Sequence, residues 1–224
     1  MRSEATDTTK PQMRRGRPGK RAAILAAAGR VFGRDGYARA GIDAIAAEAG
    51  VSTRTIYHHF DGKDDLFSVV VTASTTRVAD TLTELIAAHL NDPAAPPHRG
   101  LVALAHDWVA AQAEFADHFA MVRQINIEAN HVPAATLHTW HETGPARVVA
   151  ALTERLAAMA RQGTLRVSDS ERAASHYLLL TVAAIDTASY HGAVPLPPAE
   201  TTVIITTGVT AFLDGYRPRA QDTA

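Results

Sequence analysis

The sequence contains no cysteine. Disulfide bridges, thiol nucleophiles and cysteine-ligated zinc are therefore excluded. No apolar run reaches the roughly 18 residues that a membrane span requires. The best candidate, from His176 to Tyr190, is short and carries Asp186, and no apolar signal-peptide core follows the first residues. These absences lead us to expect a cytoplasmic protein that does not enter a membrane.

Signatures of the common enzyme classes are missing as well. The chain contains no Gly-x-Ser-x-Gly and no Walker-type phosphate loop, and the segment from Arg17 to Gly19 is too short for a dinucleotide fingerprint. His106 and Asp107 are adjacent in the chain, and adjacent residues point in different directions on a helix. We therefore predict a protein that is not an enzyme and that needs no cofactor.

Charge is distributed unevenly, although the net charge is only −1. Residues 1–67 hold 12 Lys or Arg against 8 Asp or Glu, a charge of +4, and residues 68–224 hold 10 against 15, a charge of −5. Five of the eight residues from Arg14 to Arg21 are basic. This asymmetry indicates a nucleic-acid-binding end and a neutral to acidic remainder.

Apolar residues recur with helical spacing from Lys20 onwards, and no segment shows the convincing alternation of a strand. The sequence therefore predicts an all-α protein, and its hydrophobic content of 46% is enough for a sizeable core. A first helix begins near Lys20. The further predicted helices lie at 42–49, 52–60, 63–90, 99–112, 115–129, 134–162 with a kink at Gly144-Pro145, 170–191 and 199–216.

Several of these helices have recognisable ends. Gly33 and Gly36 are expected to end the first helix. Gly50 suits the left-handed geometry that ends the second, and Ser52 is a plausible N-cap for the third. Ser168 stands three residues before a glutamate, which is the spacing of a capping box.

The second and third predicted helices form a helix-turn-helix. Such a pair suits DNA because the second helix can enter the major groove while the first braces it. Ala46 and Ala49 are small enough for close approach, and Ile56 and Phe60 should face the core. The remaining positions of the third helix are hydrogen-bond donors, namely Thr53, Arg54, Thr55, Tyr57, His58 and His59. Small units of this kind are also common packing motifs, so the pattern alone leaves both interpretations open.

The segment 42–67 resembles the DNA-binding signature of the TetR/AcrR family of regulators. The similarity lies in the Ala-Gly-Val-Ser turn, the Tyr-His-His-Phe end of the third helix and the following Lys-Asp-Asp-Leu, and it covers roughly residues 18–67. The resemblance implies an all-α homodimer with a three-helix DNA-binding domain at 18–67. It also implies a larger helical domain at 68–224 that binds a small effector and dimerises. Residues 1–17 are predicted to form a disordered basic arm, because residues 1–13 are polar, lack periodicity and contain Pro11.

The matched positions carry the family's DNA contacts. The resemblance implies that Thr53 and Arg54 approach base edges with Thr55 nearby, and that Lys63 holds a phosphate at the start of the fourth helix. Tyr57 and His58 would contact phosphates or bases. Arg54 is the expected base reader, since arginine can pair bidentately with guanine. Gly41 departs from the family pattern, which usually places Thr or Ser there as a cap and phosphate contact.

The basic arm has two possible roles. Its Arg-Gly-Arg-Pro sequence, with Arg15 and Arg17, resembles the core of an AT-hook, whose arginines lie in a narrow A·T-rich minor groove. The alternative is a solvated tail that makes nonspecific phosphate contacts. Both arginines are predicted to contact DNA.

The second domain resembles AefR-like members of the same family between about residues 115 and 182. That resemblance implies a regulatory domain with an effector pocket between its middle helices. Ordinary core packing is the alternative role for each residue proposed as lining. The candidates are Trp108, Phe119, Ile125, Trp140 and Tyr177, together with Phe115 and Met121.

Histidine is abundant, and nine of the 11 histidines lie beyond residue 67. His138 and His141 have a spacing that can present two imidazoles to one metal ion, with His131, Glu128 and Glu142 nearby in sequence. Solvent-facing histidines, or a histidine bonded to an organic ligand, are the alternatives. No third ligand is determined by spacing, so we predict no metal site.

The last two predicted helices, at about 170–191 and 199–216, are strongly apolar, and the family resemblance implies that they form a four-helix bundle with a second copy. A two-fold dimer also suits recognition of two half-sites. We therefore expect a transcriptional repressor. Its homodimer would bind a palindromic operator in double-stranded DNA and would be released by a small effector. Activation stays open because it depends on promoter position. The alternative is a degenerate family member that acts as a protein-interaction module without specific DNA binding.

Overall fold

The computed structural model describes residues 19–92 and 95–218, and over those residues the chain forms eleven helices and no strand. This confirms the predicted all-α class. The arm with Arg15 and Arg17 lies outside the described residues. The helices are α1 (Lys20–Arg39), α2 (Ile42–Ala49), α3 (Thr53–His59), α4 (Lys63–Leu90), α5 (Pro97–Glu114), α6 (Ala116–Ile127), α7 (Ala134–Thr143), α8 (Pro145–Arg161), α9 (Ser170–Leu180), α10 (Val182–Ala188) and α11 (Pro198–Tyr216).

The predicted end of α1 is wrong at one of its two glycines. Gly33 is helical, and its missing side chain serves close packing, because a Cβ there would lie 3.2 Å from the Cβ of Ala120 on α6. Gly36 does break the helix, with φ 80° and ψ 168°, and one further turn follows to Arg39. The sequence pattern is the same for a glycine that ends a helix and for one that admits a neighbouring helix.

Two long predicted helices are each divided in the structure. The segment 134–162 becomes α7 and α8, which meet at Gly144, where a Cβ would overlap the methyl carbon of Thr75 on α4. The segment 170–191 is divided at Thr181, whose hydroxyl donates to the Tyr177 carbonyl at 2.6 Å. At this point Gly208 of α11 lies so close to the end of α9 that a Cβ would overlap a backbone carbonyl.

The predicted capping box at Ser168 is also wrong. The N-cap of α9 is Asp169, whose carboxylate accepts the backbone N–H of Arg172 at 2.9 Å. The hydrogen bond from this N–H and the ion pair with the guanidinium of Arg172 hold the pKa of Asp169 below its usual range. Asp and Ser are equally good N-caps, so the local sequence does not distinguish adjacent positions.

Two hydrophobic cores organise the molecule. One joins α4, α5, α8, α9, α10 and α11. The other joins α1, α2, α3 and the first half of α4, and it also contains Met121 and Ile125 of α6 and Val132. The helix-turn-helix therefore shares its core with a helix of the second domain.

A buried carboxylate reinforces this junction. Glu128, just beyond α6, is 9% exposed, and its Oε2 accepts the backbone N–H of Ala38 at 3.0 Å. A Cβ on Gly36 would lie 2.5 Å from Oε1 of the same carboxylate. The break in α1 thus exposes a backbone donor to Glu128, and only glycine leaves room for that contact.

We predict that Gly36→Ala lowers the free energy of unfolding by about 2 kcal/mol, because its backbone conformation is nearly exclusive to glycine. Gly29→Ala is the matched control on the same helix. A Cβ there makes only an ordinary 3.8 Å contact with Val70, so about 0.5 kcal/mol of stabilisation is expected. Urea unfolding of both variants measures the difference, and equal effects would contradict this account.

Candidate nucleic-acid interface and effector cavity

The turn between α2 and α3 is built from two local features. Gly50 adopts φ 65° and ψ 35°, and its N–H and that of Val51 bond to carbonyls in the last turn of α2. Ser52 then caps α3, and its Oγ accepts the N–H of Thr55 at 3.2 Å. The left-handed glycine stops one helix and the serine starts the next within three residues, as the sequence predicted.

The outer face of α3 is a row of accessible donors. Ile56 and Phe60 lie in the core, whereas Arg54, His58 and Tyr57, whose side chain is 60% exposed, face solvent. Within the described residues, the side chains of Arg54 and Tyr57 make no hydrogen bond or ion pair. Thr53 and Thr55 are half-buried, and the Thr55 hydroxyl is 2.9 Å from Ser52 Oγ. The exposed side chains of α3 without a hydrogen-bond partner therefore include the long ones of Arg54 and Tyr57, which can reach into a groove of DNA.

Lys63 is held against the protein. Its Nζ donates to the Ala38 carbonyl at 3.0 Å and lies 4.8 Å from the centroid of the Tyr37 ring. The Tyr37 hydroxyl donates in turn to Asp64 at 2.5 Å, and burial together with this bond raises the pKa of Tyr37 to about 12. An ammonium has three N–H donors, so two remain for a phosphate.

Ion pairs connect α1 to the bracing helix α2. Arg30 bonds Glu48 at 2.7 Å and Arg34 bonds the other oxygen at 3.2 Å. These bonds, with that from Arg30 the larger influence, lower the pKa of Glu48. The pairs are solvent-exposed, so they orient the helices more than they stabilise them. The N-cap of α2, Gly41, lies at the opposite end of the helix from Glu48 and has no side chain to cap it.

A partly open cavity of about 200 Å³ lies among helices α4 to α9. Three of the predicted effector residues, Trp108, Phe119 and Trp140, line it. The lining is otherwise aliphatic apart from Thr75 and His118. The structure therefore brings together aromatic side chains from α5, α6 and α7 that are far apart in the sequence.

Ile125 and Tyr177 do not line this cavity. Ile125 lies in the core of the helix-turn-helix, as does Met121. Tyr177 is fully buried, its hydroxyl donates to the Leu101 carbonyl at 2.8 Å, and its ring packs 5.7 Å from that of Phe212. Burial raises the pKa of this hydroxyl. The alternative of core packing describes the surroundings of both residues.

His118 is a cavity residue that the sequence did not single out. It is 7% exposed, and its Nδ1 is 2.9 Å from Ser74 Oγ. Burial, with a smaller effect from Arg77, lowers its pKa to about 4. The two histidines that the sequence places at a metal-ligand spacing, His138 and His141, are exposed. No three potential metal-ligating side chains cluster anywhere in residues 19–92 or 95–218.

The described part of the chain has no helix that is long and apolar enough to span a bilayer. Its two distinctive features are an exposed donor face on a helix-turn-helix and an apolar cavity in the attached helical domain. An arrangement of this kind defines a DNA-binding transcriptional regulator rather than an enzyme.

Comparison with known proteins agrees with this class. Residues 24–70 match the model for bacterial regulatory proteins of the tetR family, and residues 100–218 match the C-terminal domain of AefR-like transcriptional repressors. The second match alone spans more than half of the chain. The chain belongs to the TetR family.

A curated relative and solved structures are consistent with this assignment. The chain is 31% identical over 96 residues to the HTH-type transcriptional repressor AcnR of Corynebacterium diphtheriae. The aligned segment is 42% of this chain and 47% of AcnR, so the match spans about half the length of that relative. A TetR-family regulator from Mesorhizobium loti superposes with a TM-score of 0.76 at 26% identity, covering 89% of this chain and 97% of the other.

Two more distant structures show the same fold. FadR of Bacillus subtilis, in complex with stearoyl-CoA, has a TM-score of 0.67 at 16% identity and covers 87% of this chain and 98% of FadR. The flavonoid-responsive regulator FrrA has a TM-score of 0.64 at 24% identity, with 90% and 98% covered.

His118 predicts a pH dependence of stability. Because folding lowers its pKa from 6.5 to about 4, the unfolded chain binds more protons between these values. The stabilisation is therefore complete above about pH 6.5 and is lost as the pH falls towards 4. Between about pH 7.5 and pH 4.5, His118→Gln should lose about 2 kcal/mol less stability than the wild type.

Urea unfolding at the two pH values measures this difference. His138→Gln, at an exposed position, is the control and should follow the wild type. Identical pH dependence in the wild type and His118→Gln would show that burial of the imidazole is not maintained in solution.

Proposed function

We propose that the chain is a homodimeric repressor that binds a palindromic operator in bacterial chromosomal DNA and leaves it when a small effector occupies the cavity. The proposal rests chiefly on one observation: the exposed donors of α3 and the apolar cavity are connected by the same two helices, α4 and α6. Residues 18–67 would bind DNA, and residues 68–224 would bind the effector and dimerise.

The α3 surface supports insertion into the major groove of double-stranded DNA. Arg54 is exposed and unpaired within the described residues, which leaves its guanidinium available for a bidentate bond to guanine. Thr53 and Thr55 at the start of α3 are placed to support it near the bases. Tyr57 and His58 would contact phosphates or bases, Lys63 would hold a phosphate, and Arg15 and Arg17 would add contacts from the arm.

Helices α4 and α6 provide the coupling. Thr75 and Val78 of α4 and Phe119 of α6 line the cavity, while Phe67 of α4 and Ile125 of α6 lie in the core of the helix-turn-helix. A ligand that binds better to a dimer with wrongly spaced reading helices necessarily weakens DNA binding. The junction of α6 with α1 at Glu128 would transmit the displacement.

Related folds accommodate small organic molecules. The FadR structure contains stearoyl-CoA, and FrrA is described as flavonoid-responsive. Stearoyl-CoA and flavonoids differ in size and polarity. They support an organic effector for this chain, and the chemical class of that effector must be inferred from the residues that line the cavity. AcnR is a repressor, which favours repression over activation here.

The dimer interface is proposed on α9 and α11. Most apolar residues of the predicted interface helices, including Val182, Val209 and Phe212, are buried within the chain. The apolar residues of these helices that face solvent include Leu179, which is 62% exposed on α9, and Val203, which is 60% exposed on α11. Large exposed apolar side chains on neighbouring helices suit an isologous interface with a second copy.

Selection of duplexes from a random pool tests DNA recognition. The wild type should enrich a palindrome with two half-sites about one helical turn apart. Arg54→Ala should lose preference at one or two positions of each half-site, at about 1–3 kcal/mol each. Arg161→Ala, which removes an exposed charge from the second domain, should keep the wild-type consensus. A folded wild type that enriches nothing would favour the protein-interaction alternative.

Sedimentation and DNA binding together test the dimer. Leu179→Glu should shift the protein towards the 23.9 kDa monomer and weaken operator binding at least tenfold, because it places a charge in an apolar interface. Ile127→Glu replaces an even more exposed apolar residue, 76% exposed at the end of α6, and should leave the dimer intact. A dimeric Leu179→Glu would place the interface elsewhere.

A further inference from the structure

We infer that the cavity takes an uncharged, mainly apolar ring compound that carries a hydrogen-bond acceptor, held by Trp140 Nε1 and Thr75 Oγ1. This inference rests on the proposed function, in which the same cavity receives the effector. It adds the chemical class of the effector and the two side chains that select it.

Two buried donors in the lining are unsatisfied. Thr75 is 2% exposed, and neither its Oγ1 nor the indole Nε1 of Trp140 has a hydrogen-bond partner among the described residues. A buried polar group without a partner costs roughly 1–3 kcal/mol. Both residues line the same cavity, and neighbouring atoms cover each donor in this structure. A bound molecule that displaces this cover and bonds the donors would recover that cost.

The type of these groups determines what the ligand must offer. An indole N–H can only donate, whereas a hydroxyl can donate or accept. The ligand must therefore present an acceptor to Trp140, and a carbonyl oxygen has two lone pairs, enough for both residues. A hydrogen-bond donor on the ligand would find side-chain acceptors only on Thr75 and His118 among the described lining residues.

A charged ligand is disfavoured. No Lys, Arg, Asp or Glu is among the described residues that line the cavity. Its imidazole, His118, has a pKa of about 4 and is neutral at physiological pH. An ion would lose its hydration there without gaining a counter-charge, which is costly in an apolar site.

Size and shape favour a ring. The cavity of about 200 Å³ is somewhat larger than the apolar cavities of about 150 Å³ that hold benzene. Trp108, Phe119 and Trp140 contribute aromatic surfaces to it. Flat ring systems stack favourably on such surfaces.

The chain provides its own readout of binding. Trp108 and Trp140 are its two tryptophans, and both line the cavity. Intrinsic fluorescence therefore follows occupancy directly, and calorimetry gives an independent affinity. Three compounds of similar shape separate the contributions: acetophenone, which has a carbonyl acceptor; isopropylbenzene, which has none; and benzoate, which is charged.

The variants remove one donor at a time. Thr75→Val replaces the hydroxyl with a methyl group of nearly the same size, and Trp140→Phe removes the indole N–H while Trp108 still reports binding. Thr153→Val is the matched control, because Thr153 Oγ1 is also buried and unpartnered but does not line the cavity.

We expect the ratio of acetophenone to isopropylbenzene affinity to fall about fivefold or more in Thr75→Val and in Trp140→Phe. The ratio should not change in Thr153→Val, and benzoate should bind the wild type at least tenfold more weakly than acetophenone. The use of a ratio removes any general effect of a variant on cavity size or stability.

Three results would overturn the inference: a ratio unaffected by both cavity variants, benzoate as the tightest ligand, or no binding of either neutral compound. Release of operator DNA by acetophenone is measured separately. Selective binding that fails to release DNA would leave the ligand class in place and reject the proposed regulation.

Discussion

The close packing of α6 against α1 is the interaction on which the rest of the structure depends. Gly33 has no side chain at the point where Ala120 approaches, and Gly36 opens the backbone to the Glu128 carboxylate. Met121 and Ile125 then complete the core beneath the helix-turn-helix. The three helices α1 to α3 span about 40 residues, a size at which a hydrophobic core is marginal on its own. The apolar side chains that α4 and α6 add to this core therefore help to fix the orientation of the DNA-binding surface.

This shared core has a consequence for regulation. A displacement of α6 at the cavity cannot be absorbed locally, since a close-packed interior transmits strain. Phe119 lines the cavity, and Ile125, less than two turns further along α6, lies in the core that α6 shares with the helix-turn-helix. Two sites on one rigid element share one conformational equilibrium, and a ligand with unequal affinity for its two states biases both. Under the proposed function, the unsatisfied donors of Thr75 and Trp140 would lower stability in the free protein and would gain partners when the effector binds.

The parts of the fold that the sequence predicted are those with local causes. Helical spacing located α2, α3 and α4 to within a residue, because caps and breakers such as Gly50 and Ser52 act over a few residues. The errors arose where a distant element decided the outcome. Gly33 does not end α1, because it serves the close packing of α6 against that helix. The predicted helix 134–162 divides at Gly144, where α4 packs directly against the backbone. Neither neighbour is visible in the flanking sequence.

By itself, the sequence determined the all-α class, the helix-turn-helix with its outward donors at Arg54 and Tyr57, and the family to which both belong, since each follows from short-range spacing and residue type. Only the tertiary structure decided which aromatic side chains meet. Trp108, Phe119 and Trp140 converge on a cavity while Ile125 and Tyr177 lie in cores. Apolar residues satisfy either environment equally well, so their destination depends on how whole helices pack and on where that packing leaves a space.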